Sequence, residues 1–572
     1  MNKNLFNSAS SVGKNVPIAD TTNNAGGKAY SMTEKHELAQ AVVTGCFGST
    51  YYVSADAQLD RVLKLCENLP AKFVAQAAVY ARENGLMKDA PALLCAVLAQ
   101  KDVELLKAVF TRVIDNGKML RNFVTILRSG KAGRTSFGTS VKKLVQKWFD
   151  ARSDEQLFRD SVGEEGASIA DCIKLCHPAP RTTEREAMYA YLIGKKVVST
   201  KKDMVKNEKT GRYETVLLKA LPTCVQDYEV YKAAILAGKD GGELPNVEWR
   251  LLTALNLSDV EWKKIAEKAP YAMTRMNLNT FERHGVFKDD KMVDVIAKRL
   301  ADADALKKAR VFPYQLFTAY KNVGETIPAK IVNALQDAAE LSIDNVPEIK
   351  GKVYIMIDCS GSMHSAVTGN RGTATSKMSC LDVASLFAAS LMRKNPEAEV
   401  IAFNTQVVPC KLNGRDSIMT NAGVMARLPQ GGTTCSAPLR MLNDKGAKGD
   451  VCIMISDSES WADMHRDGSY YGNRGTCAAT EWATFKKRNT NAKFVALDLT
   501  PNSSMQIKDQ KDVLNIGGFS DNVFNIIGMF ARGEMSGQHF SDVIEAVDVS
   551  VESAVEVSAK KGAAKATSKK RK

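Results

Sequence analysis

From residue 30 to about 340, apolar positions recur at helical spacing with charges between them. Leu59, Val62, Leu63, Leu65 and Cys66 form one such stripe, and Phe73, Ala77, Val79 and Tyr80 another after Pro70. Leu93, Leu94, Val97 and Leu98 lead to Leu105, Val109 and Val113, then to Phe123, Ile126 and Leu127. Each stripe has the period of one helix face. Breaks are expected at Pro70, Gly85, Pro91, Gly117, Gly130 and Gly138, so the helices are short and closely joined. Strand-like alternation is nearly absent. A run of more than ten amphipathic helices suits an α-solenoid, in which each helix pair buries its apolar face against the next. No crisp repeat supports a regular family such as the tetratricopeptide arrays. The stretch Lys195–Leu244 is less regular, with seven cations between Lys195 and Arg212 and then "AGKDGGELP", and it is expected to be an exposed basic loop or hairpin.

After "IDNVPEIKG" the pattern changes. Apolar runs of strand length, "KVYIMID", "EVIAF", "DVCIMISD" and "KFVALDL", alternate with helical stretches near Ser379–Arg393, Ala437–Leu442 and Ala478–Lys487. Continuous Val, Ile and Met runs indicate strands buried on both faces, hence a doubly wound α/β domain with a parallel sheet. The predicted organisation is a polar N-terminal segment (1–29), a helical array (30–342), an α/β domain (350–545) and a Lys/Ala-rich tail (550–572) expected to be disordered.

The chain has 572 residues, 45% hydrophobic and 25% charged, which fits a folded protein of several domains and excludes wholesale disorder. No apolar run is long enough to span a membrane, and the N-terminus lacks the apolar core of a secretory signal. The twelve cysteines are mostly scattered singly in apolar segments, as buried free thiols of a reducing compartment would be, and the cytoplasm is the expected location. Cys172 and Cys176, followed by His177, form the one closer group. They lack a second ligand pair, so two thiols on one helix face is the preferred reading over zinc. The net charge is +14; removing the seven cations of the last thirteen residues leaves +7, so the body remains basic. A polyanionic partner is favoured but not identified by charge alone.

In a parallel sheet, ligands sit beyond the carboxyl ends of the strands. Three loops there carry oxygen donors: Asp358-Cys359-Ser360-Gly361-Ser362, Gly431-Gly432-Thr433-Thr434, and Asp457-Ser458-Glu459. Two carboxylates with three hydroxyls, and neither His nor Cys, suit a hard divalent cation, Mg²⁺ or Mn²⁺, with a coordination position left open. A phosphoryl-accepting Asp358 would want a second carboxylate where Ser360 stands. A nucleophile elbow would want Gly in place of Asp358. Cys359 and His364 have no third group to orient them. Neither a phosphate-binding loop nor a dinucleotide fingerprint is present. No general base accompanies the ion site, so catalysis is not expected.

The segment strongly resembles von Willebrand factor A domains and their metal-ion-dependent adhesion site. That resemblance assigns Asp358, Ser360, Ser362, Thr433 and Asp457 as ligands, directly or through water, with Mg²⁺ foremost. A helical array followed by such a domain resembles the Ro ribonucleoprotein family, built on the TROVE module. "CFGSTYYV" (Cys46–Val53), "IKLCHPAP" (Ile173–Pro180), "KKARVFPYQLFTAYKN" (Lys307–Asn322) and "GGTTCSAPL" (Gly431–Leu439) are similar to family strings and occur in order.

The family resemblance implies a ring of HEAT-like helical repeats closed by the A domain, monomeric and without catalytic activity. It implies noncoding, Y-like RNA on a basic outer surface and single-stranded 3′ ends of misfolded RNA in the central hole. The role is RNA quality control or an RNP scaffold, with a 3′-exonuclease or another RNP protein as tethered partner. His177 matches the family's RNA-contacting histidine and Lys174 a nearby arginine. Arg134, Lys142, Lys143 and Lys147 form a further basic run. Glu164 and Glu165 depart from the family's basic pattern, and the Lys195–Arg212 stretch or the tail is a candidate to compensate. The alternative reading is a protein-interaction adaptor whose A domain binds an acidic partner residue through the metal.

Overall fold

The computed structural model describes residues 16–44, 49–162, 166–309, 311, 313–343, 346–367, 378–466, 468, 475–519, 521–536 and 540–550. Glu164, Glu165 and the Lys-rich tail lie outside the described residues, as do parts of the strings around Cys46 and Arg310.

Helices follow one another from Glu34–Thr44 to Ala329–Leu341. Local chemistry sets many of their starts: Ser54, Asp102, Asn116, Ser153 and Ser168 each accept an N–H of the first turn through the side chain. Pro91 is not a break; it stands in the first turn of Asp89–Lys101, where an N–H has no intrahelical partner to lose. Packing runs from neighbour to neighbour. Ala71–Glu83 meets Asp89–Lys101 and Val103–Val113, and Asp89–Lys101 meets Gly117–Arg128. Trp148 fills one such joint. It is buried, its indole N–H donates to Ile114 O at 2.8 Å, and the Arg152 guanidinium lies 3.3 Å over its ring.

The irregular stretch is more ordered than its sequence implies. Within it Lys196–Val198 (β3) pairs in parallel with Thr215–Leu217 (β4); near the start of the chain Thr21–Thr22 (β1) pairs antiparallel with Lys28–Ser31 (β2). Thr223–Leu236 is a helix of the array, with Val225, Tyr228 and Tyr231 buried and Tyr231 Oη donating to the buried Glu261 at 2.6 Å. The cationic part, from Lys201 to Arg212, and the Gly-rich end, from Ala237 to Glu243, remain exposed turn regions. The near-even mix of polar and apolar residues in the helix hid its buried face.

The α/β domain has a six-stranded sheet of Val353–Asp358 (β5), Glu399–Phe403 (β6), Val407–Val408 (β7), Val451–Ser456 (β8), Lys493–Asp498 (β9) and Val513–Gly517 (β11), in the order β11-β9-β8-β5-β6-β7. All pairings are parallel except that of β7 on the edge. Ser504–Met505 (β10) lies outside this sheet and pairs with β2. The four strands read from sequence are present. β11 escaped notice because Asn515 interrupts its apolar run; the Asn515 side chain is satisfied by Ile507 O at 3.0 Å and Asp509 at 2.7 Å.

The two parts of the chain are not strung end to end. Val16, from the expected polar lead-in, and Tyr30, at the expected start of the array, are buried in the same apolar cluster as Tyr354, Trp482 and Phe494 of the α/β domain. The first helix of the array, Glu34–Thr44, lies against β11; Gln40 Nε2 donates to Asn515 O at 3.0 Å, and His36 meets Asp509 at 2.7 Å. The last helices dock elsewhere on the same domain: Lys321 pairs with the buried Asp382 at 2.6 Å, and Glu340 receives Arg393 at 3.0 Å and Ile418 N–H at 2.8 Å. Beyond the sheet, Phe540–Glu545 returns to the array, where Gln76 donates to Val547 O at 3.1 Å.

Replacing Trp148 by Ala removes a buried aromatic ring and leaves Ile114 O without its donor. The expected cost is about 3–5 kcal/mol, read as an earlier unfolding transition in urea, with Trp148→Phe losing much less.

Candidate functional site

β5 and β8 run side by side and end together, which brings Asp358 and Asp457 to one edge of the sheet. Asp358 is fully buried. Its Oδ1 accepts the Ser360 N–H at 2.8 Å, which folds the loop back over the strand end; its Oδ2 accepts the Ser456 hydroxyl at 2.5 Å, which joins that loop to β8. Gly361 N–H donates to Gly431 O at 2.9 Å and joins the first loop to the second. Thr433 O in turn receives the N–H groups of Trp461 and Ala462 at 3.2 and 3.1 Å and the Ser460 hydroxyl at 3.3 Å, closing the circuit to the third. The two glycines are required by space: a Cβ on Gly431 would fall 2.7 Å from Asn404, and one on Gly432 2.9 Å from the Trp461 ring.

All five expected ligands are buried around this circuit. The Ser360 and Ser362 hydroxyls stand 3.2 Å apart, with Ser362 near the Asp457 carboxylate. Burial, reinforced by the Asp457 charge, pushes the Asp358 carboxyl up to about 7. Burial raises Asp457 as well. Asp498, at the end of β9, lies well above the usual carboxylate range through burial and the nearby Asp457. Neither Asp358 nor Asp457 has an ion pair among the described residues. Buried carboxylates without a counter-charge are costly unless a proton or a cation joins them. Among the described residues no three His, Cys, Asp or Glu side chains converge to hold an ion by themselves, so hydroxyls would have to complete the set. The Thr434 hydroxyl, buried beside Thr433, has no hydrogen-bond partner among the described residues. The donor chemistry therefore fits a hard divalent ion.

Two further side chains reach the site that sequence reasoning did not single out. Glu459 is buried and held by Asn24, Ala25 and Asn502, and Tyr52, from the array, comes near Ser362 and Asp457, where burial and then the Asp457 charge push its hydroxyl up to about 12. Both contacts join residues far apart along the chain, so no local spacing announces them. Cys359 is not an activated nucleophile. Its thiol donates to Phe403 O at 3.1 Å, and burial together with Asp358 pushes it up to about 12.

The cationic candidates separate into two groups. Helix Thr139–Asp150 packs on Ile169–Cys176, and Gln146 donates to Cys176 O at 2.7 Å. Lys142 lies beside the Cys176 thiol, while Lys174 and His177 are exposed at that helix end, with His177 in the left-handed conformation (φ 50°) that terminates it. Lys143 and Lys147 are exposed, one turn apart. Arg134 stands apart: its guanidinium donates to Ala99 O at 2.6 Å and Ser136 O at 3.0 Å, where it staples a turn. Cys172 and Cys176 are buried free thiols. A further cation group comes from distant parts of the array. Lys88, Lys118 and Arg250 are exposed, yet burial of Lys88 among its surroundings and the neighbouring Lys118, Arg82 and Arg250 hold its ammonium below the ordinary range.

A family model described as the Ro60 vWA domain matches residues 352–531, and one described as the TROVE domain matches residues 243–352. The chain is similar to RNA-binding protein RO60 of Deinococcus radiodurans, 23% identical over 555 residues, covering 90% of this chain and 95% of that protein. It is also similar to RNA-binding protein RO60 of Caenorhabditis elegans, 23% identical over 537 residues, covering 78% and 81% of the two. The crystal structure of the Deinococcus radiodurans RO (RSR) protein shares the fold, with a TM-score of 0.58 and 18% identity over 88% of this chain and 100% of that one.

The Asp358 carboxyl ionises near 3.8 in an unfolded chain and near 7 in the folded one. Between those values the unfolded chain has released a proton that the folded chain keeps, so metal-free protein loses stability as pH rises through this window and the loss levels off above it. Thermal melting in EDTA from about pH 4 to pH 8 checks this; Asp358→Asn should flatten the fall relative to wild type.

Proposed function

Because the chain belongs to the Ro ribonucleoprotein family, we propose that it is a non-catalytic RNA-binding protein whose helical array is closed into a ring by the A domain. Its ligands are noncoding, Y-like RNA and the single-stranded 3′ ends of misfolded RNA, and its role is RNA quality control or RNP scaffolding, with a 3′-exonuclease or another RNP protein as partner. The observation that carries this reading is the double docking of the array: its first helices lie on β11 and its last helices on the far helices of the same domain. An array of HEAT-like pairs held at both ends encloses a space that a single strand can enter and a duplex cannot. Lys142, Lys143, Lys147, Lys174 and His177 offer one phosphate-binding face, and Lys88, Lys118 and Arg250 a second. The free, mostly buried thiols among the described residues suit a reducing compartment such as the cytoplasm.

Asp358, Ser360, Ser362, Thr433 and Asp457 would hold Mg²⁺. When bound, the ion would neutralise the buried carboxylates and offer one position to an acidic group. The chain's own part is done by its hydrogen bonds: Ser456 and the Ser360 N–H fix both oxygens of Asp358, and the Thr433 carbonyl keeps the second and third loops in register.

Binding of the purified full chain to a structured RNA, with and without a single-stranded 3′ overhang, tests the reading. The overhang should bind tighter, and affinity should fall steeply between about 50 and 200 mM salt. Lys174→Ala with His177→Ala should weaken binding, and Lys118→Ala with Arg250→Ala should lower the salt slope by about 1 for each phosphate no longer neutralised. Equal, weak binding to both RNAs would overturn the 3′-end mode.

A further inference from the structure

Between β3 and β4 the chain makes an excursion whose two ends are held together by their parallel pairing. The Lys196 N–H donates to Glu214 O at 3.1 Å, and Thr215 and Val216 of β4 are buried at the root. The Val205 N–H donates to the Thr215 hydroxyl at 2.9 Å and fixes the excursion to that root. Beyond it a small hairpin forms. The Asn207 N–H donates to Arg212 O at 2.8 Å, and the Glu214 N–H to Val205 O at 2.9 Å. At the tip, the Asn207 side-chain oxygen accepts the N–H groups of Lys209 and Thr210 at 3.0 and 3.1 Å, and Gly211 takes the left-handed conformation (φ 66°). The arm thus has a defined shape before anything binds it.

The two hairpin bonds flank Lys206 and Tyr213 and make them the non-hydrogen-bonded pair, whose side chains share one face at the closest cross-strand approach. Tyr213 is 50% exposed, and its ring stacks on no other among the described residues. Lys201, Lys202, Lys206, Lys209 and Arg212 are exposed, and none of them has an ion pair among the described residues. Exposed cations elsewhere in the array do find one: Lys107 lies 2.5 Å from Glu104, and Lys330 2.6 Å from Asp294. In the arm the acids are engaged by neutral donors instead. Asp203 accepts the Thr200 hydroxyl at 2.6 Å, and Glu214 the Asn207 amide at 2.5 Å. Five cations against Asp203 and Glu208 leave residues 201–212 at +3.

An exposed aromatic ring among unpaired cations suits unstacked bases and their phosphates: the π-face accepts any base, and the cations hold the backbone. A duplex would offer this surface its phosphates but keep its base faces stacked inside. Helix Thr183–Leu192 packs both on β4 and on Ile169–Cys176, the helix that ends at Lys174 and His177. A helix is about 10 Å across, so a strand on that face has a short path to the arm.

We propose that this arm is a binding site for single-stranded RNA, in which a base stacks on Tyr213, Lys206 takes the adjoining phosphate, and Lys201, Lys202, Lys209 and Arg212 hold the backbone to either side. This rests on the RNA-binding reading above and adds to it a site that senses strandedness rather than sequence.

The test is fluorescence anisotropy of the full chain with a labelled oligoadenylate of about 12 nucleotides and with a blunt RNA duplex of the same length. Tyr213→Ala should weaken the oligoadenylate about tenfold and leave the duplex within about twofold, whereas Tyr213→Phe, which keeps the ring, should bind as wild type does. Lys206→Ala with Arg212→Ala should weaken both RNAs and lower the salt slope for the single strand by about 1.4. These side chains are exposed, so the melting temperature should stay where it is. Wild-type oligoadenylate affinity in Tyr213→Ala, or a loss shared equally by the duplex, would overturn the stacking site while leaving the RNA-binding reading intact. Failure of the wild-type chain to bind either RNA would remove that reading and this inference together.

Discussion

Asp358 is sealed from water at the end of a central strand, and the domain is arranged around the need to satisfy its two oxygens. One is met by the backbone of its own loop and the other by Ser456 on the neighbouring strand. Those two bonds fix where the first and third loops lie, and the Gly361–Gly431 contact then leaves the second loop one place to go. Hydrogen bonds answer the dipolar requirement of a buried carboxylate but not its charge, and Asp457 close by makes the charge problem worse. The site is built at a cost that only a proton or a bound cation offsets.

The same domain is also the meeting point of the helical array. Nearest-neighbour packing gives an array no intrinsic reason for its ends to meet. Here the ends are held by specific polar contacts set in apolar ground: Gln40 and His36 on one side, and Lys321 with the buried Asp382 on the other. Asp382 is itself the third residue of a capping box with Ser379, so the residue that starts a helix of the A domain also receives the array.

Much of this was legible in the residues. Apolar runs such as Val353–Ile357 and Val451–Ile455 announce buried parallel strands, and an Asp at the end of each predicts where chemistry collects. The helical stripes were equally plain, because a buried face of period 3.6 needs no partner to be recognised. What stayed hidden depends on long-range partners. Tyr52 is an ordinary tyrosine until it comes near Ser362, and Asn24 an ordinary turn residue until it meets Glu459. Arg134, read as one of a basic run of RNA contacts, also bonds the backbone carbonyls of Ala99 and Ser136, which no spacing announces. Spacing describes a helix face, but not which side chains are already engaged.

The pairing of β2 with β10 has a consequence for how the molecule is made. Asn23 and Ser460, which this pairing brings together, are 437 residues apart. The segment made earlier must wait for one made 437 residues later. Until then Tyr30, destined for a fully buried place, has no core to enter. At ordinary rates of about 5–20 residues per second that wait lasts tens of seconds. The helices of the array can gather locally during this time, whereas the A domain reaches its final form only when its oldest neighbour is captured. Assembly is thus completed by the capture of an early segment rather than by the segment made last before it.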